Sequence, residues 1–127
     1  MTTVQRVAQI FGVVFLLVGI AGMIPGLGSY TMDEVAMLGM FPVNVLHNIV
    51  HILFGVWGLM AAGTFAGAKS YATIAGIIYL VLAALGFVWP DGFGVVHLGG
   101  NNIWLHAALG IVLTAVGLTA KQQVVVA

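Results

Sequence analysis

The stretch YATIAGIIYLVLAALGFVW, residues 71–89, contains no charged residue. A helix of about 20 predominantly apolar residues is long enough to cross the hydrocarbon core of a bilayer. Three further long apolar runs occupy residues 4–24, 43–65 and 101–120. The sequence therefore predicts an all-α fold, an integral membrane bundle of four transmembrane helices in one domain that covers residues 1–127.

The overall composition agrees with a membrane chain. Hydrophobic residues make up 62% of the sequence and charged residues 5%, whereas soluble domains carry about 25% charged residues. The net charge is zero and there is no basic run, so we expect no nucleic acid partner. There is no cysteine and no nucleophile motif, so we expect that the protein is not an enzyme. Because the chain is so apolar, we expect the lipid bilayer to be a partner.

The charged residues separate by sign along the chain. If each apolar run crosses the bilayer, all the basic residues share one side with both termini and all the acidic residues share the other. The basic set is Arg6, Lys69 and Lys121, and the acidic set is Asp33, Glu34 and Asp91. The positive-inside rule then predicts that both termini are cytoplasmic.

The connections differ in length and composition. The outer loop at 25–42 is the longest, and Thr31 could cap a short interfacial helix with Asp33 and Glu34 in its first turn. A small-residue turn is expected at 66–69 and a glycine-rich loop at 91–100. The tail at 122–127 is too short for a fifth span.

Small residues form a stripe on the first predicted helix. Gly12, Gly19 and Gly26 recur every seven positions. Because small residues let membrane helices approach closely, the stripe predicts a tight helix contact.

The two halves of the chain resemble each other. Residues 12–16 match residues 76–80, and residues 51–55 match residues 106–110. In this alignment His47 falls opposite Asn102. We interpret the chain as two similar helical hairpins that enter the membrane in the same direction, with a symmetry axis along the membrane normal. The alternative is that apolar, glycine-rich helices resemble one another by composition alone.

Polar residues follow one face of the second predicted helix and one face of the fourth. They recur at steps of three and four, the spacing of neighbours on a helix surface. The set is Asn44, His47, Asn48 and His51 on the second helix, and Asn102 and His106 on the fourth. Because amides and imidazoles are costly to expose to lipid, this polar cluster is expected inside the outer half of the bundle.

Several roles are open to this cluster. A structural role makes Asn44, Asn48 and Asn102, with the histidines, a hydrogen-bond network between helices. A metal site would use His47, His51 and His106, which suit Zn, Cu or Ni. Methionines on the same side would favour copper over the other metals. They are Met23, Met32, Met37 and Met40.

A cofactor site is a further alternative. His51 and His106 could be axial ligands of haem, or one of them could hold a chlorophyll-type pigment. Every lysine and arginine lies on the opposite predicted side, away from the propionates of such a haem, which makes this option weaker than a metal ion. A proton or ion pathway is also weak, because no acid or base continues a relay into the inner half.

Two segments carry a resemblance to a known family. The sequence PVNVLHNIVHILFG at 42–55 and the run from NNIWLH at 101–106 to Gly110 are similar to the family of domain of unknown function 4383, and Gly12 to Pro25 fits its first helix. The resemblance implies a small four-helix protein of the bacterial plasma membrane and implies no activity. Asn101 stands where the family often has Asp, which puts an acid-dependent role at that position in doubt.

Two functions from different classes follow from these observations. The first is a non-enzymatic accessory or assembly subunit of a larger membrane complex, or a homo-oligomer that associates through its glycine-rich faces. The alternative is a metal- or cofactor-binding membrane protein that uses the outer histidines and asparagines.

Overall fold

Helix α1 begins at a complete capping box. The Thr2 side chain accepts a hydrogen bond from the Gln5 backbone N–H, and the Gln5 side chain accepts one from the Thr2 backbone N–H. A computed structural model describes residues 1–122, so the predicted tail lies, apart from Gln122, outside the described residues. Within these residues there are four α-helices: α1 at Thr3–Gly22, α2 at Val45–Ala61, α3 at Phe65–Val88 and α4 at Asn101–Thr119.

Three of the four helices are long and apolar enough to cross a membrane. They are α1, α3 and α4, while α2 is apolar but has only 17 residues. Their outer surfaces are apolar as well, since Leu17, Val81 and Ile111 are 60%, 51% and 61% exposed. The predicted helical bundle is confirmed in helix number and in apolar character.

Helix α3 begins earlier than the predicted residue 71. Thr64 is its N-cap and its hydroxyl accepts a hydrogen bond from the Gly67 backbone N–H at 3.0 Å. The predicted turn at 66–69 is therefore the first part of the helix. The connection from α2 to α3 is the short segment 62–64, which also explains why α2 ends at Ala61 and not at the predicted residue 65.

The outer loop contains two short strands where a short helix was predicted. Strand β1 at Val35–Met37 pairs antiparallel with β2 at Phe41–Val43. Leu38 and Gly39 in the turn have φ of 55° and 70°, a conformation that fits a tight hairpin. Thr31 caps no helix, because its hydroxyl accepts from the nearby Asp33 backbone N–H at 3.2 Å. This hairpin also delays the start of α2 from the predicted residue 43 to Val45.

Glycines bring the two helices of each hairpin into backbone contact. A Cβ on Gly55 would lie 2.6 Å from the backbone nitrogen of Leu16, so α1 and α2 touch there without an intervening side chain. A Cβ on Gly76 would lie 2.5 Å from the backbone nitrogen of Thr114, and this pairs α3 with α4. Gly26 is an exception to the predicted stripe, since no atom lies within 4 Å of such a Cβ and its φ is +91°.

The main core lies where the two hairpins meet. Phe15 of α1 and Tyr79 of α3 stack with ring centroids 5.4 Å apart and an interplanar angle of 4°. Tyr71 and Leu113 are completely buried in the same cluster. Helices α1 and α3 contact each other across this core, whereas α2 and α4 make few close backbone contacts. This separation leaves space between the polar faces of α2 and α4.

Candidate functional site

The polar face of α2 is set by the residue that begins the helix. The Asn44 side-chain oxygen accepts a hydrogen bond from the His47 backbone N–H at 3.0 Å, which makes Asn44 the N-cap. The helix then places His47 and His51 one turn apart, and their ring centroids are 4.4 Å apart. Both histidines are buried, with 8% and 6% of their surface exposed.

Helix α4 brings the third histidine to this face. The His106 ring is 6.2 Å from the His47 ring and is 2% exposed. Its other aromatic neighbour is Tyr79, at a centroid distance of 5.2 Å. The three histidines predicted to lie together therefore meet, although they belong to helices that scarcely touch.

A cavity of about 180 Å³ separates these side chains. We call it the histidine cavity. The three histidines and Tyr79 line it almost entirely through their carbon atoms, and the remaining lining is aliphatic. The aliphatic residues are Leu46, Val50, Leu82, Val96 and Leu98. Within the described residues, no lysine, arginine, aspartate or glutamate lines it.

Four buried polar atoms of the cavity residues are without a hydrogen-bond partner among residues 1–122. They are Nε2 of His47, Nδ1 of His51, Nδ1 of His106 and the hydroxyl of Tyr79. Buried polar groups in proteins nearly always have a partner, so each of these atoms needs an explanation. At these four atoms the predicted hydrogen-bond network between helices has no partner, and the network stays a prediction.

The asparagines of the predicted cluster have a different role from the histidines. Asn48 donates two hydrogen bonds through Nδ2, to the carbonyl of Gly22 at 2.7 Å and to the carbonyl of Ser29 at 2.8 Å. Asn102 donates to the carbonyls of His97 and Pro42 at 3.0 and 3.3 Å. These amides tie the helices to the outer loops, so they shape the site without facing its cavity.

A metal site at His47, His51 and His106 would need their nitrogens arranged around one point. Among residues 1–122, no group of three or more histidine, aspartate or glutamate side chains is placed to hold a metal ion. His47, His51 and His106 are neighbours, but they are not arranged as a set of ligands around one point. The described residues show no arrangement that would hold Zn, Cu or Ni, and the metal site stays a prediction.

A macrocyclic cofactor does not fit either. A cavity of about 180 Å³ is well below the ~300–1,000 Å³ of sites for larger ligands. The glycines one turn from these histidines are packed against neighbouring helices, since Gly55 contacts Leu16 and Gly110 contacts Leu80. The haem and chlorophyll-type predictions for His51 and His106 are therefore not supported by the space available.

A second, polar pocket of about 240 Å³ lies next to the histidine cavity. His97 and Glu34 face each other in it, with Nδ1 and Oε2 3.3 Å apart. Asn44 closes one side by donating to the carbonyl of Val95 at 2.8 Å. Val96 lines both spaces, so the segment 95–98 separates the outer pocket from the histidine cavity. Of the four methionines considered for copper, Met32 lines this outer pocket.

Tyr79 is the cavity residue that was absent from the predicted site. Its hydroxyl belongs to a side chain that is 1% exposed, and the apolar sequence around it predicts only a helix. The sequence feature that could have pointed to Tyr79 is the alignment of the two halves, in which Tyr79 matches Phe15.

Of the comparisons with known proteins, the one with protein-family models gives a match. Neither the curated proteins nor the solved structures contain a match. The model of the domain of unknown function DUF4383 matches residues 5–119, which is most of the chain. The match includes all the histidines and asparagines discussed above. The chain therefore belongs to the DUF4383 family.

Proposed function

We propose that the chain is a non-enzymatic integral membrane protein that binds a small organic molecule in the histidine cavity. The observation that carries the proposal is a cavity of about 180 Å³ whose surface is almost entirely apolar and whose lining includes three buried histidines. Small-molecule sites are concave and are lined mainly by apolar and aromatic side chains. The cavity would take a small, mainly apolar molecule.

The position of the charges supports a membrane location and an orientation. Lys69 lies near the connection of α2 and α3, at the same end of the bundle as Arg6 near the start of α1. Glu34 and Asp91 line the outer pocket at the other end. With the positive-inside rule, this arrangement supports cytoplasmic termini and a multi-pass protein of the bacterial plasma membrane.

Matching contacts in the two hairpins support the proposed internal repeat. The repeat equates Phe15 with Tyr79 and His51 with His106. The Phe15 and His51 rings are 5.8 Å apart, and the Tyr79 and His106 rings are 5.2 Å apart. A proposed axis between the stacked Phe15 and Tyr79 rings would relate the hairpins, and His47 and the Tyr79 hydroxyl would break the symmetry on the side of the cavity.

An accessory or assembly subunit, or a homo-oligomer, is the second candidate function. It is favoured by an aromatic patch at the outer end of α3, where Phe87, Trp89 and Phe93 are 76%, 44% and 71% exposed. The glycine stripes give it less support than expected, because they are used for contacts inside each hairpin. Association through the aromatic patch would be weakened by Phe93→Ser, which light scattering of the detergent-solubilised protein would detect.

The composition of the purified protein tests the proposed function. The protein is isolated in mild detergent without a His-tag or added metal, and is analysed by mass spectrometry for extractable organic molecules and for metals. We expect one organic species that is lost from the His51→Ala/His106→Ala variant and kept by Gly63→Ala, a change at an exposed connection. A stoichiometric metal ion lost from the same histidine variant would instead support the metal-binding alternative.

A further inference from the structure

The surface of the histidine cavity is almost entirely carbon. The three histidines and Tyr79 contribute ring carbons to it, and their buried nitrogen and oxygen atoms without partners among residues 1–122 are not exposed at that surface. An apolar cavity stays dry and takes up apolar molecules. The part of a ligand that enters this cavity should therefore be a hydrocarbon.

The loop before α4 closes the cavity toward the polar outer pocket. Val96 and Leu98 of this loop line the cavity, and Val96 also lines the outer pocket. Two hydrogen bonds hold the loop in place. The Asn44 side chain donates to the carbonyl of Val95 at 2.8 Å, and the Leu98 backbone N–H donates to the carbonyl of Pro90 at 2.9 Å. Entry of a ligand from the outer pocket would require this loop to move.

The cavity is open at the side of the bundle, between α2 and α3. The residues at the edge of this opening are Leu46 and Val50 of α2 and Leu82 of α3, which line the cavity and are partly exposed. Behind them, Tyr79 and His106 are only 1% and 2% exposed. A ligand could therefore reach the buried rings by passing between these aliphatic side chains.

The outer surface around the opening is apolar. Ile49 and Leu53 of α2 are 43% and 61% exposed, and Ile78 of α3 is 37% exposed. Val50, at the edge of the opening, lies about 8 Å along the axis of α2 from its first residue, at about 1.5 Å per residue. If α2 and α3 cross the bilayer as proposed, the opening faces the acyl chains of the lipids and not water.

The volume of the cavity sets the length of chain that it can hold. The histidine cavity measures about 180 Å³, and an engineered apolar cavity of ~150 Å³ binds benzene, so about six carbon atoms fit. That length is the end of an acyl chain, and the rest of the lipid would stay in the bilayer. An empty cavity would lose the dispersion contacts of its lining, which a chain end would restore.

We propose that the histidine cavity holds the end of an acyl chain from a lipid of the surrounding bilayer, which enters sideways between α2 and α3. The proposal rests on the proposed function and on the membrane location proposed with it, and it adds the chemical class of the ligand. The chain end contacts the carbon atoms of the histidine rings and of Tyr79, while the headgroup stays at the membrane surface.

Photolabelling in lipid vesicles tests this proposal. The protein is reconstituted with a phosphatidylcholine that carries a diazirine near the end of one acyl chain, and illumination produces a carbene that inserts into neighbouring side chains. Mass spectrometry of peptides locates the labels. We expect labels on Tyr79 and His106, which are too buried for a lipid outside the bundle to reach. Tyr71 and Leu113 are completely buried outside the cavity and should stay unlabelled.

Two neighbouring residues of α2 give a matched pair of variants. Val50→Phe places a larger side chain at the opening and should remove most of the label on Tyr79 and His106. Ile49→Phe makes the same kind of change at an exposed residue that does not line the cavity, and should leave the labels in place. Val81, which is 51% exposed, is the reference for labelling from outside. Equal labelling of Tyr79 in the two variants would contradict entry through this opening.

A small free probe, 3-ethyl-3-methyldiazirine, separates the ligand class from the proposed function. If the lipid probe labels only exposed residues such as Val81 while the small probe labels Tyr79 and His106, the acyl-chain proposal is overturned and a small-molecule site remains. If neither probe labels Tyr79 or His106 and no organic molecule copurifies with the protein, both proposals are wrong.

Discussion

At the scale of single residues, glycine decides how close the helices lie. Gly55→Ala would place a Cβ 2.6 Å from the backbone nitrogen of Leu16 and 2.8 Å from the carbonyl oxygen of Gly12. Neither backbone atom can rotate away, so the helices must separate. We expect a loss of about 1–3 kcal/mol in the free energy of unfolding, as for other overpacked sites.

Thermal unfolding in detergent, followed by circular dichroism, measures this loss. The matched control is Gly63→Ala, where the added Cβ would meet only the carbonyl oxygen of Met60 at 3.4 Å. The control should melt at or slightly above the wild-type temperature. Equal melting temperatures for the two variants would contradict backbone contact between α1 and α2.

Two asparagine side chains donate hydrogen bonds to backbone carbonyls, and a second pair of variants tests these bonds. Asn48→Asp removes the Nδ2 group that donates to the Gly22 and Ser29 carbonyls inside the bundle. Asn101→Asp removes an exposed donor to the carbonyl of Met40 at 3.0 Å. We expect Asn48→Asp to cost about 1–3 kcal/mol, because buried carbonyls lose their partner.

The cost of Asn101→Asp should be within about 0.5 kcal/mol, since water can replace an exposed donor. Chemical unfolding of both variants in the same detergent gives the comparison. A similar large loss at Asn101 would mean that this position matters beyond its hydrogen bonds.

At the scale of helices and strands, the sequence predicted the central parts of the helices better than their ends. The apolar runs located all four helices, because burial or lipid exposure of such segments requires a helix. The start of α3 was misplaced because the small residues before Lys69 predicted a turn. In the structure its ammonium group donates to the Gly117 and Ala120 carbonyls at 2.5 and 3.3 Å, so a lysine within a helix is satisfied by the end of another helix.

That contact is itself testable. A cation near the carbonyl end of a helix typically contributes about 0.3–1 kcal/mol. Lys69→Gln should therefore lower the stability of the protein by about this amount and loosen the last turn of α4. Lys121→Gln removes the same charge beyond the end of α4 and serves as the control. Faster amide hydrogen exchange at 115–119 in the Lys69 variant alone would support the contact, whereas equal exchange in both variants would contradict it.

The outer hairpin could not be derived from local sequence. Thr31, Asp33 and Glu34 fit a helix start, but strand pairing between Val35 and Val43 depends on the turn at Leu38, which adopts a positive φ that leucine rarely takes. Likewise, helical spacing predicted that His47, His51 and His106 would meet. It could not predict that Tyr79 and the loop residues Val96 and Leu98 would complete the cavity, because those contacts are set by how the two hairpins pack.

At the scale of the whole molecule, the separation of charge determines which end of the bundle should face the cytoplasm. The chain has no cysteine, so single cysteines can report each side directly. Met40 is 48% exposed in the outer hairpin, and Gly63 is exposed in the connection of α2 and α3. In intact bacterial cells, a membrane-impermeant maleimide should label Met40→Cys and should label Gly63→Cys only after permeabilisation. The reverse pattern would invert the orientation and place the histidine cavity in the cytoplasmic half of the bilayer, and labelling of both sites in intact cells would contradict insertion across the membrane.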